Sequence, residues 1–440
     1  MVRHGRLSPR EWFESCFDRI TDIDSTLHAW SHVDPDPIRA VLDSFKNEDW
    51  LNRKPPAALA GVPFGVKDCF NTVDMPTAMG SDLWRGFNPG NDARVVASAR
   101  LLGAIPLGKT VTAEFATHAP GETVNPHNSN VISGTSSSGS SAAVACGMVP
   151  IALGTQTGGS ITRPASYMGV VGFKPSFGII PRTGVLKTAD TLDTIGWFSR
   201  NVADSKLLLD CLRVRGRDYP VIERGFARAD MNRDESKPLR LALVTPPSWA
   251  DAAGYARDQL VEYANQLGNR QDIELCHLDL REPLEECHEV HRQIYHTQLA
   301  YYFERELERP QQISEEFRKI TTEGRRVAPS EYFAALDKQR HLEHHLSDLL
   351  DECDVAITLS VAGEPPQLDN PEEPSDSSLI WTLCGVPTVT LPVFSGPNGL
   401  PFGAQLFAPR YGDYTLLSAA ERIFPETIAV INPSEHDTSS

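Results

Sequence analysis

Two short segments rich in glycine and hydroxyl residues lie close together in this 440-residue chain: Gly134-Thr135-Ser136-Ser137-Ser138-Gly139-Ser140-Ser141, and Gly154-Thr155-Gln156-Thr157-Gly158-Gly159-Ser160-Ile161-Thr162-Arg163-Pro164-Ala165. By composition, either one alone reads as a flexible linker. The pair does not, because Ser160 follows Ser136 by only 24 residues and the small-residue run Ala142-Ala143-Val144-Ala145-Cys146-Gly147 lies between them. A loop that opens a helix of small residues lets backbones pack closely. The two glycines before Ser160 leave the amides of Thr157, Gly158, Gly159 and Ser160 clear of side chains, so they can converge on one oxygen as an oxyanion hole. A nest that merely holds phosphate is the alternative, but neither segment fits GxxxxGK[ST] or a strand-linked GxGxxG.

A third segment, Gly61-Val62-Pro63-Phe64-Gly65-Val66-Lys67-Asp68, places a lysine at the end of an apolar, strand-like run where water is scarce. On its own, such a lysine reads as an exposed residue paired with a carboxylate. Charge narrows the partners: 41 Lys and Arg against 58 Asp and Glu give a net −17, which repels a nucleic-acid backbone. No stretch reaches the roughly 18 to 20 apolar residues that span a bilayer, and no apolar signal core follows Met1-Val2-Arg3, so no membrane association and a cytoplasmic location are expected. The eight cysteines are scattered without a CxxC pair, as suits reduced thiols.

The rest of the chain alternates helix and strand signals. Ser8, Pro9 and Glu11 form a capping box ahead of Trp12, Cys16 and Ile20. Residues 92–102 have helical spacing, end at Gly103 and lead into the strand-like run Ala104 to Leu107. Arg224 to Lys237 reads as a charged linker or exposed loop. Strand signals follow at Leu239 to Val244, Val355 to Leu359, Pro387 to Val393 and Ala404 to Phe407, and a polar tail begins near Pro433. Between them, residues 283–351 are rich in Glu, Arg, His and Leu with helical periodicity and read as a helical insert or cap. Since strands flank it on both sides, one sheet uses both ends of the chain.

Together the three segments resemble the amidase signature family: the VKD lysine segment, the Gly/Ser loop, and the Gly-Gly-Ser loop followed by Gly172-Phe173-Lys174-Pro175. The likeness runs from about Ser8 to Leu209 and resumes in Trp381 to Pro387 and Gly396 to Pro401. It implies an α/β fold with a mixed, twisted central sheet flanked by helices. The expected organisation is a single amidase domain over 1–440, with a signature core at 61–200 and the helical insert at 283–351. By the same likeness Ser160 is the nucleophile, Ser136 a bridging serine held in a cis peptide, Lys67 the base, and the amides of Thr157, Gly158, Gly159 and Ser160 the oxyanion hole. No cofactor is implied.

Four positions depart from the family's pattern. Thr135 and Ser138 replace glycines, Gln156 stands where Asp is usual, and Thr162 stands where Arg is usual, with Arg163 displaced by one. None removes a member of the triad. The changes argue against the glutaminase subunit of tRNA-dependent amidotransferase, which keeps the usual pattern.

The chemistry agrees with the likeness. Serine is a weak nucleophile and an amide a poor electrophile, so the reaction needs a base and oxyanion donors. Lysine serves as base only when neutral, which requires its value of about 10.4 to fall by roughly 3 units, and burial supplies that. The expected activity is hydrolysis of a small carboxylic amide to acid and ammonia or amine, with a small-molecule amide as partner and a homodimer left open. One rival is a subunit of an amidotransferase or multi-protein amidohydrolase that passes ammonia to a partner. Another is a non-catalytic binding protein, opposed by the presence of Lys67, Ser136 and Ser160 together. His288, His291 and His296, with His341, His344 and His345, have spacings that helical metal sites use. Without HExxH they read as an exposed amphipathic face rather than as ligands.

Overall fold

A computed structural model describes residues 7–44, 57–231, 237–371 and 373–433. Among them, one sheet is built from β1 (Trp30–Val33), β2 (Pro63–Lys67), β3 (Ile105–Thr110), β4 (Ile151–Gln156), β5 (Val171–Lys174), β6 (Thr194–Ser199), β7 (Leu239–Thr245), β8 (Ile273–Asp279), β9 (Val355–Leu359), β10 (Thr388–Ser395) and β11 (Pro401–Phe407). The order across it is β1-β3-β2-β4-β6-β5-β10-β11-β9-β7-β8. Strands β3, β2 and β4 run parallel, as do β9, β7 and β8, and antiparallel pairs join the two groups through β5 and β10. The sheet is therefore mixed and uses both ends of the chain, as the sequence suggests.

Lys67 owes its setting to this arrangement. All five residues of β2 are buried, because β2 lies between β3 and β4 and helices cover the sheet. One of them, Ser138–Ala145, consists of small, wholly buried residues. It can approach only because position 139 is glycine: a Cβ there would lie 2.3 Å from the Ala29 carbonyl oxygen and 2.5 Å from the Val111 nitrogen. The capping box at Ser8 and Glu11 starts helix Pro9–Leu27, whose Phe13, Cys16 and Phe17 join Ala142, Ala145 and Cys146 in one apolar cluster.

Residues 283–351 form the helices Cys287–Tyr302, Glu315–Arg326 and Pro329–Leu349. Their Ile294, Leu299, Phe317 and Leu346 pack with Trp381 and Phe407 of the sheet side. The first two helices touch at Gly324, where a Cβ would meet the His296 carbonyl oxygen at 1.9 Å. The segment read as a charged linker from Arg224 is instead helical as far as Met231, in helix Pro220–Met231. Its charges mask an apolar stripe, since Phe226 is buried against the rings of Tyr411 and Tyr414. The polar tail lies outside the described residues from 434 onward. Among the described residues no disulfide joins two of the eight cysteines.

If helix Ser138–Ala145 depends on bare backbone contact, Gly139→Ala should cost about 1–3 kcal/mol through overpacking. Urea unfolding should then show a lower midpoint at an unchanged slope. A midpoint equal to wild type would show that the contact can yield.

Candidate active site

Two buried lysines lie on neighbouring strands, and their partners differ. Lys109 of β3 has its Nζ 2.9 Å from Asp68 Oδ1 and donates to the Pro76 carbonyl (2.9 Å) and Thr77 Oγ1 (2.8 Å). Among the described residues Lys67 bonds only hydroxyls: its Nζ lies 2.7 Å from Ser136 Oγ, 2.9 Å from Ser137 Oγ and 2.8 Å from Thr155 Oγ1. Burial therefore lowers the Lys67 pKa from its usual 10.5 to about 8, with Cys69 and Asp193 opposing the shift only through their more distant charge. Lys174 is lowered further, to about 7, also by burial, but its Nζ bonds carbonyls, that of Val386 at 2.6 Å. A depressed pKa alone does not single out Lys67. The hydroxyl cluster does.

Ser136 is held at both ends, its Oγ bonding the Ala116 carbonyl at 3.0 Å and its own carbonyl accepting from Thr112 Oγ1 at 2.9 Å. Phe115 and Ala116 adopt left-handed backbone with φ of 49° and 56°, strain that aims the Ala116 carbonyl at the serine. Ser160 sits half-buried between β4 and helix Thr162–Met168. Lys67 and Ser136 thus meet directly, whereas Ser160 makes no hydrogen bond to either among the described residues. The link is β4, whose Thr155 bonds Lys67 and whose end leads to Ser160.

The intervening loop has its carbonyls tied down. The Thr157 carbonyl accepts from His291 Nε2 at 2.8 Å, that of Gly158 from Thr382 Oγ1 at 2.8 Å, and that of Gly159 from the Arg163 amide at 2.9 Å. Among the described residues the N–H groups of Thr157, Gly158, Gly159 and Ser160 donate to no protein acceptor, which leaves them able to hold an external oxygen. Thr157 Oγ1 also bonds Asp193 at 2.7 Å.

The departures from the family's pattern form a neutral network. Gln156 is fully buried, and its Oε1 accepts from the amides of Ile161 (2.8 Å) and Thr162 (3.0 Å), first donors of the following helix. Its Nε2 donates to Thr382 Oγ1 at 3.0 Å. Arg163 turns to its own acids, Asp376 at 2.9 Å and Glu373.

The histidines correct the expected exposed face. His341, His344 and His345 are exposed, but His291 is only 6% exposed and serves the Thr157 carbonyl, with burial lowering its pKa to about 4. Among the described residues no group of three or more His, Cys, Asp or Glu is placed to hold a metal. Sequence spacing gave no sign of the roles of Thr155, Asp193, His291 and Thr382, since each acts across a long chain separation. A cavity of about 1240 Å³, lined in part by Arg224, Arg240, Glu343 and Arg422, shares no lining residue with this cluster.

Comparison with known proteins gives a consistent picture. The Amidase family profile matches residues 11–417. The A subunit of glutamyl-tRNA(Gln) amidotransferase from Chromohalobacter salexigens is 29% identical over 96% of this chain and 94% of its own. A solved chain from a vestigial protein complex, tied to the evolutionary origins of an s-triazine catabolic enzyme, superposes with a TM-score of 0.83 at 26% identity over 98% of both chains. The peptide amidase of Stenotrophomonas maltophilia shares the fold, with a TM-score of 0.82 at 23% identity over 99% of this chain and 97% of that one. Among the described residues no helix is long and apolar enough to cross a membrane.

The lowered lysine makes a prediction about stability. With its folded-state value below the unfolded one, the unfolded chain binds more protons between about pH 8 and 10.5. The Lys67 contribution to stability therefore rises with pH through that window, by at most about 3 kcal/mol. Lys67→Met abolishes the rise. Urea unfolding of both proteins at about pH 7.5 and 10 should show the difference moving in favour of wild type; a constant difference would contradict a depressed lysine.

Proposed function

We propose the following from one premise, that this chain belongs to the amidase family: it hydrolyses a small carboxylic amide to acid and ammonia or amine through an acyl-enzyme on Ser160. The observation that carries this reading is Lys67 Nζ, buried within 2.7 Å of Ser136 Oγ and without a carboxylate to hold its proton.

The hydrogen-bond count supports a relay. Neutral Lys67 has two N–H groups, which Ser137 and Thr155 accept, and one lone pair, toward which the Ser136 hydroxyl turns from the Ala116 carbonyl as the relay begins. As Ser160 Oγ bonds to the amide carbon, its proton passes to Ser136 Oγ while the Ser136 proton passes to Lys67. The lysine becomes an ammonium that donates to all three hydroxyls. The negative oxygen is received by the amides of Thr157, Gly158, Gly159 and Ser160. When the C–N bond breaks, the proton returns through Ser136 to the leaving nitrogen. Water then cleaves the ester by the same transfers, regenerating Ser160 and neutral Lys67.

A second reading, in which the chain delivers ammonia to a partner protein, draws support from its similarity to the glutamyl-tRNA(Gln) amidotransferase chain. Gln156 and Thr162, in place of the usual Asp and Arg, weigh against transferring that role. Ammonia release by the isolated chain favours the hydrolase, and activity only on adding a co-purifying partner favours the ammonia-delivering role.

Ser160→Ala should leave the fold intact, lower turnover by roughly four or more powers of ten and abolish labelling by a fluorophosphonate. Undiminished amide hydrolysis in that variant would end the reading.

A further inference from the structure

We propose that His291 is a positioning residue for the loop Thr157 to Ser160, holding the Thr157 carbonyl so that the Gly158 amide points at the reacting oxygen. This rests on the reading of that loop as the oxyanion site. In a planar trans peptide the carbonyl of one residue and the N–H of the next point in opposite directions. Fixing the carbonyls of Thr157, Gly158 and Gly159 therefore fixes the amides of Gly158, Gly159 and Ser160. One of the three restraints is local, from Arg163 of the helix the loop opens into, and a second comes from Thr382 of helix Ser378–Leu383, 224 residues away. The third comes from His291, 134 residues away on helix Cys287–Tyr302.

The same helix also holds Thr157 by an indirect route. The Thr157 hydroxyl donates to Asp193 Oδ1 at 2.7 Å, and Asp193 Oδ2 accepts the amides of Thr188 and Ala189 at 2.8 and 3.0 Å. That turn is in turn fastened to helix Cys287–Tyr302, where Gln298 accepts the Asp190 amide and the Tyr302 hydroxyl bonds Asp190 Oδ1 at 2.6 Å. The group opposite His291 Nε2 is a carbonyl, which can only accept, so Nε2 carries the hydrogen and the tautomer is set. The ring also lies over the bare Cα of Gly158, 3.9 Å from where a Cβ would stand. The helical segment between β8 and β9 is thus part of the machinery that shapes the oxyanion site, beyond any role in covering it.

The test uses the full chain, a fluorophosphonate and an amide that releases ammonia. His291→Ala should lower kcat per labelled site and the labelling rate of Ser160 together, by about 10- to 100-fold, with KM within about threefold. His291→Gln, whose amide can donate to the same carbonyl, should recover most of both. Counting turnover per labelled site removes losses from unfolded protein. A His291→Ala enzyme as fast as wild type overturns the proposal, as does a folded His291→Gln enzyme as slow as His291→Ala. Wild-type protein left unlabelled at Ser160 overturns instead the reading on which the proposal stands.

Discussion

A lysine buried among hydroxyls with no carboxylate in reach is the constraint to which the rest of this structure answers. Desolvation makes the charged form of Lys67 costly, and Ser136, Ser137 and Thr155 offer only neutral acceptors in compensation. Keeping water out requires β2 to lie inside the sheet and Ser138–Ala145 to pack against it through Gly139. Lys109, next door, shows the alternative: with Asp68 beside it, the charge is compensated and the lysine is structural. Because Asp68 is committed to Lys109, its carboxylate leaves Lys67 without a counter-charge.

The loop after β4 follows a similar economy of charge. Gln156 accepts two helix-opening amides and, through Thr382, steadies the Gly158 carbonyl, all without an ion. A buried ion pair would need its full hydrogen-bond complement to offset desolvation. Here neutral donors and acceptors satisfy one another, while the charge of Arg163 is matched by Asp376 and Glu373. The field at the proposed reacting centre then comes from the lysine, the backbone amides and, at longer range, the Asp193 carboxylate that accepts from the Thr157 hydroxyl.

Much of this was legible in the sequence because it is written locally. Two Gly/Ser segments 24 residues apart, a lysine ending an apolar run and the capping box at Ser8 are short-range patterns, and the strand at Val355 to Leu359 lies where its apolar run places it. What escaped depends on distant partners. His291 reads as surface because its helix is rich in charge, yet it reaches a carbonyl 134 residues away. Asp193 and Thr382 carry no spacing signal at all. Strand β8 was missed because it is an edge strand, buried mainly at Ile273, with none of the continuous apolar character of β2. The helix Pro220–Met231 was hidden by its charges, its apolar stripe being recognisable only once Phe226 meets Tyr411 and Tyr414.

The central claim is that Lys67 loses its proton far more readily than an ordinary lysine. Heteronuclear NMR of the ¹³Cε resonances of labelled lysines, with Lys67 assigned by its disappearance in Lys67→Met, reads this proton directly. The account predicts a titration midpoint near 8 against the usual 10.5. A Lys67 resonance that titrates with the exposed lysines would contradict it.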